Sequence, residues 1–275
     1  MISTKSIIFI LLLLVIGIYA TETVTENTDA VEKVKKHHTK KTLYYTLRKD
    51  YRKCASCGGW FLKQVNSGDS KEIYVMALDY DKHTTTINDT NSDQYVVGGT
   101  LKKDQFHVSD ITRCLPAIAK KDSKLRYYVY HNEKKKDYIV ELNTGKKEKV
   151  SGVIEQFSTN VSHIHKEWLE AKVKTDSILL GAIGKKKFLE ASSVFIRLPD
   201  PKKPCKALPL PKCTAGHVPA FSRQVDRCLK FEGCVAEGIC TLSIPVCDTN
   251  YSLVSFNSKP NGCPKYYCDP SFLVN

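Results

Sequence analysis

Apolar residues are distributed along the chain in three different ways. A continuous apolar run covers residues 7–16, residues 21–41 hold few apolar side chains and no aromatic one, and from residue 43 short aromatic and β-branched stretches alternate with polar ones. The first run follows Lys5 and is too short to cross a bilayer comfortably, so it predicts a secretion signal over residues 1–20. The polar stretch predicts a disordered leader over residues 21–41, because it buries too little to offset its ordering entropy.

The alternating part of the chain repeats itself at an offset of 83 residues. Stretches at 44–47, 96–98, 102–103 and 115–116 recur at 127–130, 179–181, 185–186 and 198–199. Aromatic and β-branched residues in such short stretches favour strands. We therefore expect a mainly β fold with minor α, in which residues 42–200 form a duplicated domain with repeats over about 43–116 and 126–199.

The two repeats are expected to pack face to face around a pseudo-two-fold axis, because neither should bury a large core alone. Their middle segments differ in pattern. Apolar residues recur at three- and four-residue spacing over residues 153–173, which predicts a helix, whereas residues 73–78 are strand-like.

The cysteines predict a second, disulfide-rich module at the end of the chain. Five prolines lie within residues 198–211, which favours a stiff connector and places the module at residues 201–275. The eleven cysteines are Cys54, Cys57, Cys114, Cys205, Cys213, Cys228, Cys234, Cys240, Cys247, Cys263 and Cys268. The last eight can close four bridges in 105 ways, whereas the first three leave one thiol over. A secreted chain meets an oxidising medium, so these cysteines are expected to form disulfides.

Cys54 and Cys57 could also form a redox pair, a protease active site or part of a zinc site. A redox pair would begin a helix, but here Gly58 and Gly59 and the strand-like residues 60–62 follow. A papain-like nucleophile would need a tryptophan directly after the second cysteine, whereas here two glycines separate Cys57 from Trp60. A zinc site from this pair with Cys114 and His107 competes with oxidation of the thiols. A structural disulfide is favoured over all three.

Other motifs give no sign of catalysis, so we expect a non-enzymatic protein with no cofactor and no metal. The chain lacks a Gly-x-Ser-x-Gly elbow, a His-Glu-x-x-His helix and a phosphate-binding glycine loop. His163 and His165 would share a face on a strand but diverge on a helix. Three glycosylation acceptor sites, Asn88, Asn160 and Asn250, agree with a secreted glycoprotein.

The charge of the chain suggests an acidic partner. The formal net charge is +13, or +12 once Lys5 is removed with the signal. Only seven of the 42 basic residues are arginine, and arginine is the side chain that best recognises phosphates and bases, so nucleic acid is not expected. No later apolar run approaches ~18 residues, so no membrane span is expected after signal cleavage.

Three segments carry a resemblance to a known family. Residues 45–54, residues 57–66 with the order Cys-Gly-Gly-Trp-Phe-Leu-Lys-Gln-Val-Asn, and residues 195–199 resemble an uncharacterised domain of secreted or lipid-anchored proteins of myxobacteria and social amoebae. Residues 251–256 and 262–270 look like the cysteine-rich tail often attached to that domain. The resemblance covers about residues 43–200 and implies an extracytoplasmic location, but no activity.

These observations favour an extracellular binding protein. Its partner is expected to be a glycan or an acidic protein, met by basic and aromatic side chains among which Tyr44, Tyr45, Trp60, Tyr127 and Tyr128 are candidates, although most of these should be core. The alternative is a protease inhibitor acting through the cysteine-rich module. Residues 214–227 would then form its exposed loop, with Arg223 and Arg227 as anchors.

Overall fold

The computed structural model describes residues 42–69, 71–80, 85–116, 124–133, 136–208 and 211–274. The predicted signal over residues 1–20 and leader over residues 21–41 lie outside the described residues. In the described part the predicted fold class is confirmed, since strands dominate and helices are few. Two related sets of strands are followed by a disulfide-rich C-terminal module.

The first repeat supplies six strands and one 3-10 helix over Asp89–Gln94. Its strands are β1 (Leu43–Lys49), β2 (Trp60–Gln64), β3 (Glu72–Val75), β4 (Ala77–Asp79), β5 (Tyr95–Lys102) and β6 (Gln105–Cys114). The alternation of apolar and polar residues decides which side chains enter the core. In β1, for example, Tyr45 and Leu47 are buried, whereas Arg48 of the same strand is exposed.

The second repeat supplies six strands and the two α-helices of the described chain, and a second 3-10 helix, Ser271–Leu273, lies in the cysteine-rich module. The strands of this repeat are β7 (Arg126–Glu133), β8 (Lys136–Glu141), β9 (Lys147–Lys149), β10 (Gly152–Glu155), β11 (Ser177–Ile183) and β12 (Phe188–Leu198), and its helices are α1 (Phe157–Asn160) and α2 (Lys166–Thr175). The helix predicted over residues 153–173 is therefore right where α1 and α2 lie, but wrong for residues 153–156 and 161–165, which are not helical. Residues 152–155 instead pair in parallel with β12, as β4 does with β6 in the first repeat.

All twelve strands belong to one sheet, whose order reveals the duplication. The path runs β3-β2-β1-β5-β6-β12-β11-β7-β8-β9, with β4 and β10 off the path. When each strand is replaced by its equivalent in the other repeat, the result is the same order read from the opposite end. A pseudo-two-fold axis therefore passes between β6 and β12.

The pairing of β6 with β12 fits the 83-residue offset. Ile111 lies opposite Leu198 in this antiparallel pair. A shift of 83 residues turns this pair into Val194 and Leu115, and the Leu115 amide does donate to the Val194 carbonyl at 2.8 Å. The register at the centre of the sheet thus obeys the symmetry of the sequence.

The core has three parts. One cluster, around Leu62, Phe106 and Ile111, belongs to the first repeat, and another, around Ile139 and Trp168, belongs to the second. A third cluster is shared, and consists of Val65, Val96, Leu142, Ile178 and Phe195. Each repeat therefore buries a core of its own, which the sequence analysis did not expect. The repeats join edge to edge as well as across the shared cluster.

The cysteine-rich segment forms two β-hairpins. The first pairs β13 (His217–Arg223) with β14 (Leu229–Ala236), and the second pairs β15 (Tyr251–Asn257) with β16 (Pro264–Pro270). The first hairpin is closed by disulfides Cys205–Cys228 and Cys213–Cys234, the second by Cys240–Cys263 and Cys247–Cys268. So dense a framework stabilises a small unit mainly by restricting its unfolded ensemble.

These hairpins are a second internal duplication, which the sequence analysis missed. The bridged cysteines are 23 and 21 residues apart in the first hairpin and again 23 and 21 in the second. Equivalent turns precede the leading strands, since His217 N donates to the Thr214 carbonyl at 3.0 Å and Tyr251 N donates to the Asp248 carbonyl at 3.0 Å. The module is thus built by repeating one two-disulfide hairpin.

The second hairpin packs against the second repeat. Cys268 and Tyr251 are buried in that repeat's core cluster. The Tyr251 hydroxyl donates to the Pro116 carbonyl at 3.0 Å, and the Cys268 amide donates to the His163 carbonyl at 3.0 Å. The domain limit drawn at residue 200 stays a prediction, because the two parts share this core.

Candidate functional site

The three cysteines of the duplicated domain divide into a bonded pair and a free thiol. Cys54 and Cys57 are disulfide-bonded to each other, so their sulfurs are not available as zinc ligands. Cys114 is free and partly buried, and burial raises the pKa of its thiol to about 11. At neutral pH it is therefore protonated and a poor nucleophile. No group of three His, Cys, Asp or Glu side chains in the described part of the chain is arranged to hold a metal ion.

Arg223 and Arg227 are not exposed anchors, and this prediction is wrong. Their side chains are 3% and 6% exposed. Both arginines pair with Asp269, and Arg227 Nη1 lies 3.0 Å from its Oδ2. Arg227 Nε also donates to Asp200 Oδ2 at 3.2 Å. Half of the segment expected to be an open loop, residues 214–227, is strand β13.

These arginines belong to a network that joins the module to the duplicated domain. Asp200, whose side chain is buried, also accepts a hydrogen bond from Trp168 Nε1 at 2.9 Å and pairs with Lys172. From Lys172 the ion pairs continue at 3.5 Å to Asp176, and from Asp176 at 3.2 Å to Arg197. Buried charges are costly unless paired. The network therefore holds the parts together and offers no free cation to a ligand.

The aromatic residues proposed for a binding surface lie in the core. Tyr45, Trp60 and Tyr128 are buried, whereas Tyr44 and Tyr127 are partly buried. The hydroxyl of Tyr44 donates to Asp110 Oδ2 at 3.1 Å. Burial is the first cause that raises the pKa of Tyr44, to about 12, and that of Tyr127, also to about 12. These side chains stabilise the fold rather than meeting a partner.

The three glycosylation acceptors are all accessible. Asn88, Asn160 and Asn250 are exposed. The Asn88 side chain also accepts a hydrogen bond from Thr90 N at 2.9 Å and so caps the 3-10 helix. Their position on the surface is compatible with glycans, and occupancy stays a prediction.

His163 and His165 diverge, as they would on a helix. His163 is exposed, whereas His165 is buried beside Tyr267, 5.0 Å between ring centroids. His165 lines a groove of about 490 Å³ between the start of α2 and the two hairpins, which Glu167, Phe256 and Lys265 also line. The Tyr267 ring is already packed against Phe256, with centroids 5.8 Å apart. Phe221 also lines the groove and packs against Phe231, with centroids 5.8 Å apart, so the aromatic rings of the groove are packed in pairs.

The surface feature that the sequence analysis missed is an apolar loop between the two hairpins. It covers residues 239–246 and is called the 239–246 loop below. Four of its side chains are aliphatic and exposed, Ile239 to 99%, Leu242 to 97%, Ile244 to 64% and Val246 to 89%. Its only sequence signal is the run of aliphatic residues around two cysteines, in a segment too rich in disulfides to be read by periodicity.

The 239–246 loop is held at two points of the second hairpin. Cys240 is bonded to Cys263, which directly precedes β16, and Cys247 is bonded to Cys268 within β16. Six residues lie between Cys240 and Cys247. Residues 237–248 contain no helix, strand, turn or bend, so the disulfides, and not strand pairing, hold the segment.

The disulfides fit an extracellular, disulfide-stabilised protein. Within the described residues, no helix has the length and apolar character needed to cross a bilayer. No known protein-family profile matches the chain, and no solved structure matches it.

One curated relative was found, an uncharacterized protein of Dictyostelium discoideum. It is 31% identical over 259 residues, an alignment that covers 85% of this chain and 89% of the relative. A Dictyostelium relative agrees with the social-amoeba part of the resemblance, whereas the myxobacterial part and the attached tail stay predictions. At this identity and coverage, the chain belongs to the same family as the uncharacterized Dictyostelium protein.

Proposed function

We propose that this protein is an extracellular, non-enzymatic binding protein, and that the 239–246 loop is its binding surface. The observation that carries the proposal is the exposure of four aliphatic side chains within eight residues, Leu242 and Ile239 almost completely. Single exposed aliphatic residues are ordinary, but a contiguous exposed group marks an interaction site.

The anchoring of the loop supports this proposal. A flexible loop loses conformational entropy when it binds, and that loss reduces affinity. The bridges Cys240–Cys263 and Cys247–Cys268 restrict the loop before it meets a partner. An exposed apolar loop that is also held in place is thus suited to binding with little further ordering.

A protein partner fits the loop better than a lipid surface. Among the described residues, the backbone of residues 241–246 makes no hydrogen bond to other backbone groups. Unpaired backbone groups are costly in hydrocarbon, whereas a protein partner can pair with them as with a sheet edge. The loop is also flanked by Glu237 and Asp248, which disfavour an anionic membrane surface.

The location of the loop changes the expected chemistry of the partner. The net charge of +13 had suggested a glycan or an acidic protein. The exposed side chains of the loop are uncharged, and the paired arginines of the buried network are not accessible. We therefore propose a protein with an apolar recess, and neither nucleic acid nor a glycan.

Photo-crosslinking at position 242 tests this proposal. A photoreactive residue replaces Leu242 in the secreted full chain, which is added to the extracellular medium of its host cells. The control carries the same residue at Val225, which is 51% exposed and lies outside the loop. We expect an adduct from position 242 only, and binding of the purified partner to the wild type that is lost when Ile239, Leu242, Ile244 and Val246 are all serine. Equal adducts at both positions, or binding unaffected by the serines, would contradict the proposal.

A further inference from the structure

Building on the proposed function, we propose that the 239–246 loop occupies the substrate cleft of a serine endoproteinase with an apolar primary pocket. Leu242 enters that pocket and the Leu242–Ser243 peptide bond lies over the catalytic serine. The protein then acts as a substrate-like inhibitor of the protease.

The loop offers backbone groups that no other part of the described chain pairs with. Endoproteinases bind substrates as single extended strands, and edge pairing of this kind uses main-chain hydrogen bonds for affinity and side-chain pockets for specificity. Residues 237–248 run without a turn or bend, and residues 241–246 have no backbone partner within the described chain. Pro245, which lacks an N–H, interrupts the edge after four residues and so limits pairing with a second copy.

The choice of Leu242 follows from exposure and side-chain shape. It is 97% exposed and lies between the bridged cysteines, whereas Ile239 lies outside them. Ile244 and Val246 are β-branched and flank Pro245. Leu242 has small neighbours in Thr241 and Ser243, which permit close approach of the backbone. An unbranched-Cβ aliphatic side chain fits the hydrophobic slot of a chymotrypsin-like enzyme, not the acidic pocket of a trypsin-like one.

The double anchor explains why the loop would inhibit rather than be consumed. Hydrolysis would add one water across the Leu242–Ser243 bond, giving a carboxylate on Leu242 and an amine on Ser243. Both new ends would stay attached to the second hairpin, through Cys240–Cys263 on one side and Cys247–Cys268 on the other. Held together, they favour resynthesis of the bond over release, and the entropy normally gained by release is withheld.

The test uses the secreted full chain, unreduced, with chymotrypsin and trypsin as probes and chromogenic peptides as substrates. We expect competitive inhibition of chymotrypsin and little of trypsin. Leu242→Ala should raise the inhibition constant at least about 30-fold, the effect of a hot-spot residue. Leu253→Ala is the matched control, because Leu253 is also exposed but lies in β15, and it should leave the constant unchanged.

Other outcomes would overturn the inference in distinguishable ways. Rapid cleavage at Leu242 without inhibition would make the loop a substrate. No inhibition of either enzyme, together with a residue-242 crosslink to a partner that is not a protease, would leave the proposed function standing and remove only this inference. Leu242-dependent sedimentation with phosphatidylcholine vesicles, or a Leu242-dependent dimer in gel filtration, would overturn both.

Discussion

Asn66 and Asn143 link the two repeats by equivalent hydrogen bonds, each from one repeat to the backbone of the other. This pair of contacts is called the asparagine clasp below. The Asn143 side chain accepts from Tyr44 N at 2.8 Å and donates to the Tyr44 carbonyl at 2.8 Å. The Asn66 side chain accepts from Tyr127 N at 2.9 Å and donates to the Tyr127 carbonyl at 2.8 Å. Each asparagine lies in the left-handed region, with φ of 56° and 65°. The backbone of each repeat therefore completes its hydrogen bonding through an asparagine of the other.

Replacing Asn66 by glycine should destabilise the protein by about 2–3 kcal/mol, because hydrogen bonds to partly buried backbone groups are lost at about 1 kcal/mol each. Glycine keeps the left-handed backbone without strain, so the loss of stability in Asn66→Gly measures the contribution of the Asn66 side chain. Lys103→Gly, at an exposed turn residue with φ of 53°, is the control for glycine itself. Urea unfolding of both variants measures the difference, and equal costs would show that the asparagine clasp contributes nothing.

Replacing Asp200 by asparagine should destabilise the protein by about 3–5 kcal/mol, because it leaves Arg227 and Lys172 buried without their shared counter-charge. Arg48→Gln is the comparison. It breaks the pair with Glu72, in which the arginine side chain is 54% exposed, and should cost less than about 1 kcal/mol. Thermal unfolding with limited proteolysis checks both, and similar small losses would contradict a structural role for the network.

His165 should make the stability of the protein fall as the pH falls. Burial first, and then the charge of Arg223, lower the pKa of His165 below its ordinary value of about 6.5. Glu167, Asp269 and Lys265 also face it, with smaller effects. The unfolded chain therefore binds more protons, so stability present above about pH 6.5 is lost as the pH falls towards the folded pKa.

His165→Phe should flatten this dependence between pH 7.5 and 5. His131→Gln serves as the control and should keep the wild-type slope. His131 is partly exposed and its ring is stacked on that of Tyr138. Urea midpoints at several pH values provide the measurement. An unchanged slope in His165→Phe would show that His165 does not carry the effect.

Cys114 should resist alkylation in the native protein, because burial keeps its thiol protonated, with a pKa of about 11. Iodoacetamide at pH 8 should label it only after denaturation without reductant, at one site per chain. Mass mapping of the same sample should leave Cys54 and Cys57 unlabelled, since they are bonded to each other. Rapid native labelling of that pair would instead revive redox or metal chemistry.

The sequence predicted the 83-residue repeat, but it did not reveal the shorter repeat of the cysteine-rich module or the contacts that depend on distant partners. The 83-residue offset led to two sets of strands whose central register, Ile111 opposite Leu198, obeys the offset. The repeat within the cysteine-rich module was missed, because only cysteine spacing and turns are shared. Arg223 and Arg227 were expected at the surface, since nothing near them in sequence indicates that Asp269 lies 46 and 42 residues away and pairs with both.

The most direct test of the central claim replaces Leu242, the side chain that is proposed to enter the protease pocket. Leu242→Lys leaves the disulfides and the rest of the loop unchanged but places a cation where the leucine was. We predict that the variant loses inhibition of chymotrypsin and gains inhibition of trypsin, whose primary pocket carries a carboxylate. A variant that inhibits neither enzyme, or that still inhibits chymotrypsin in preference to trypsin as the wild type is expected to, would contradict the claim that Leu242 enters the pocket.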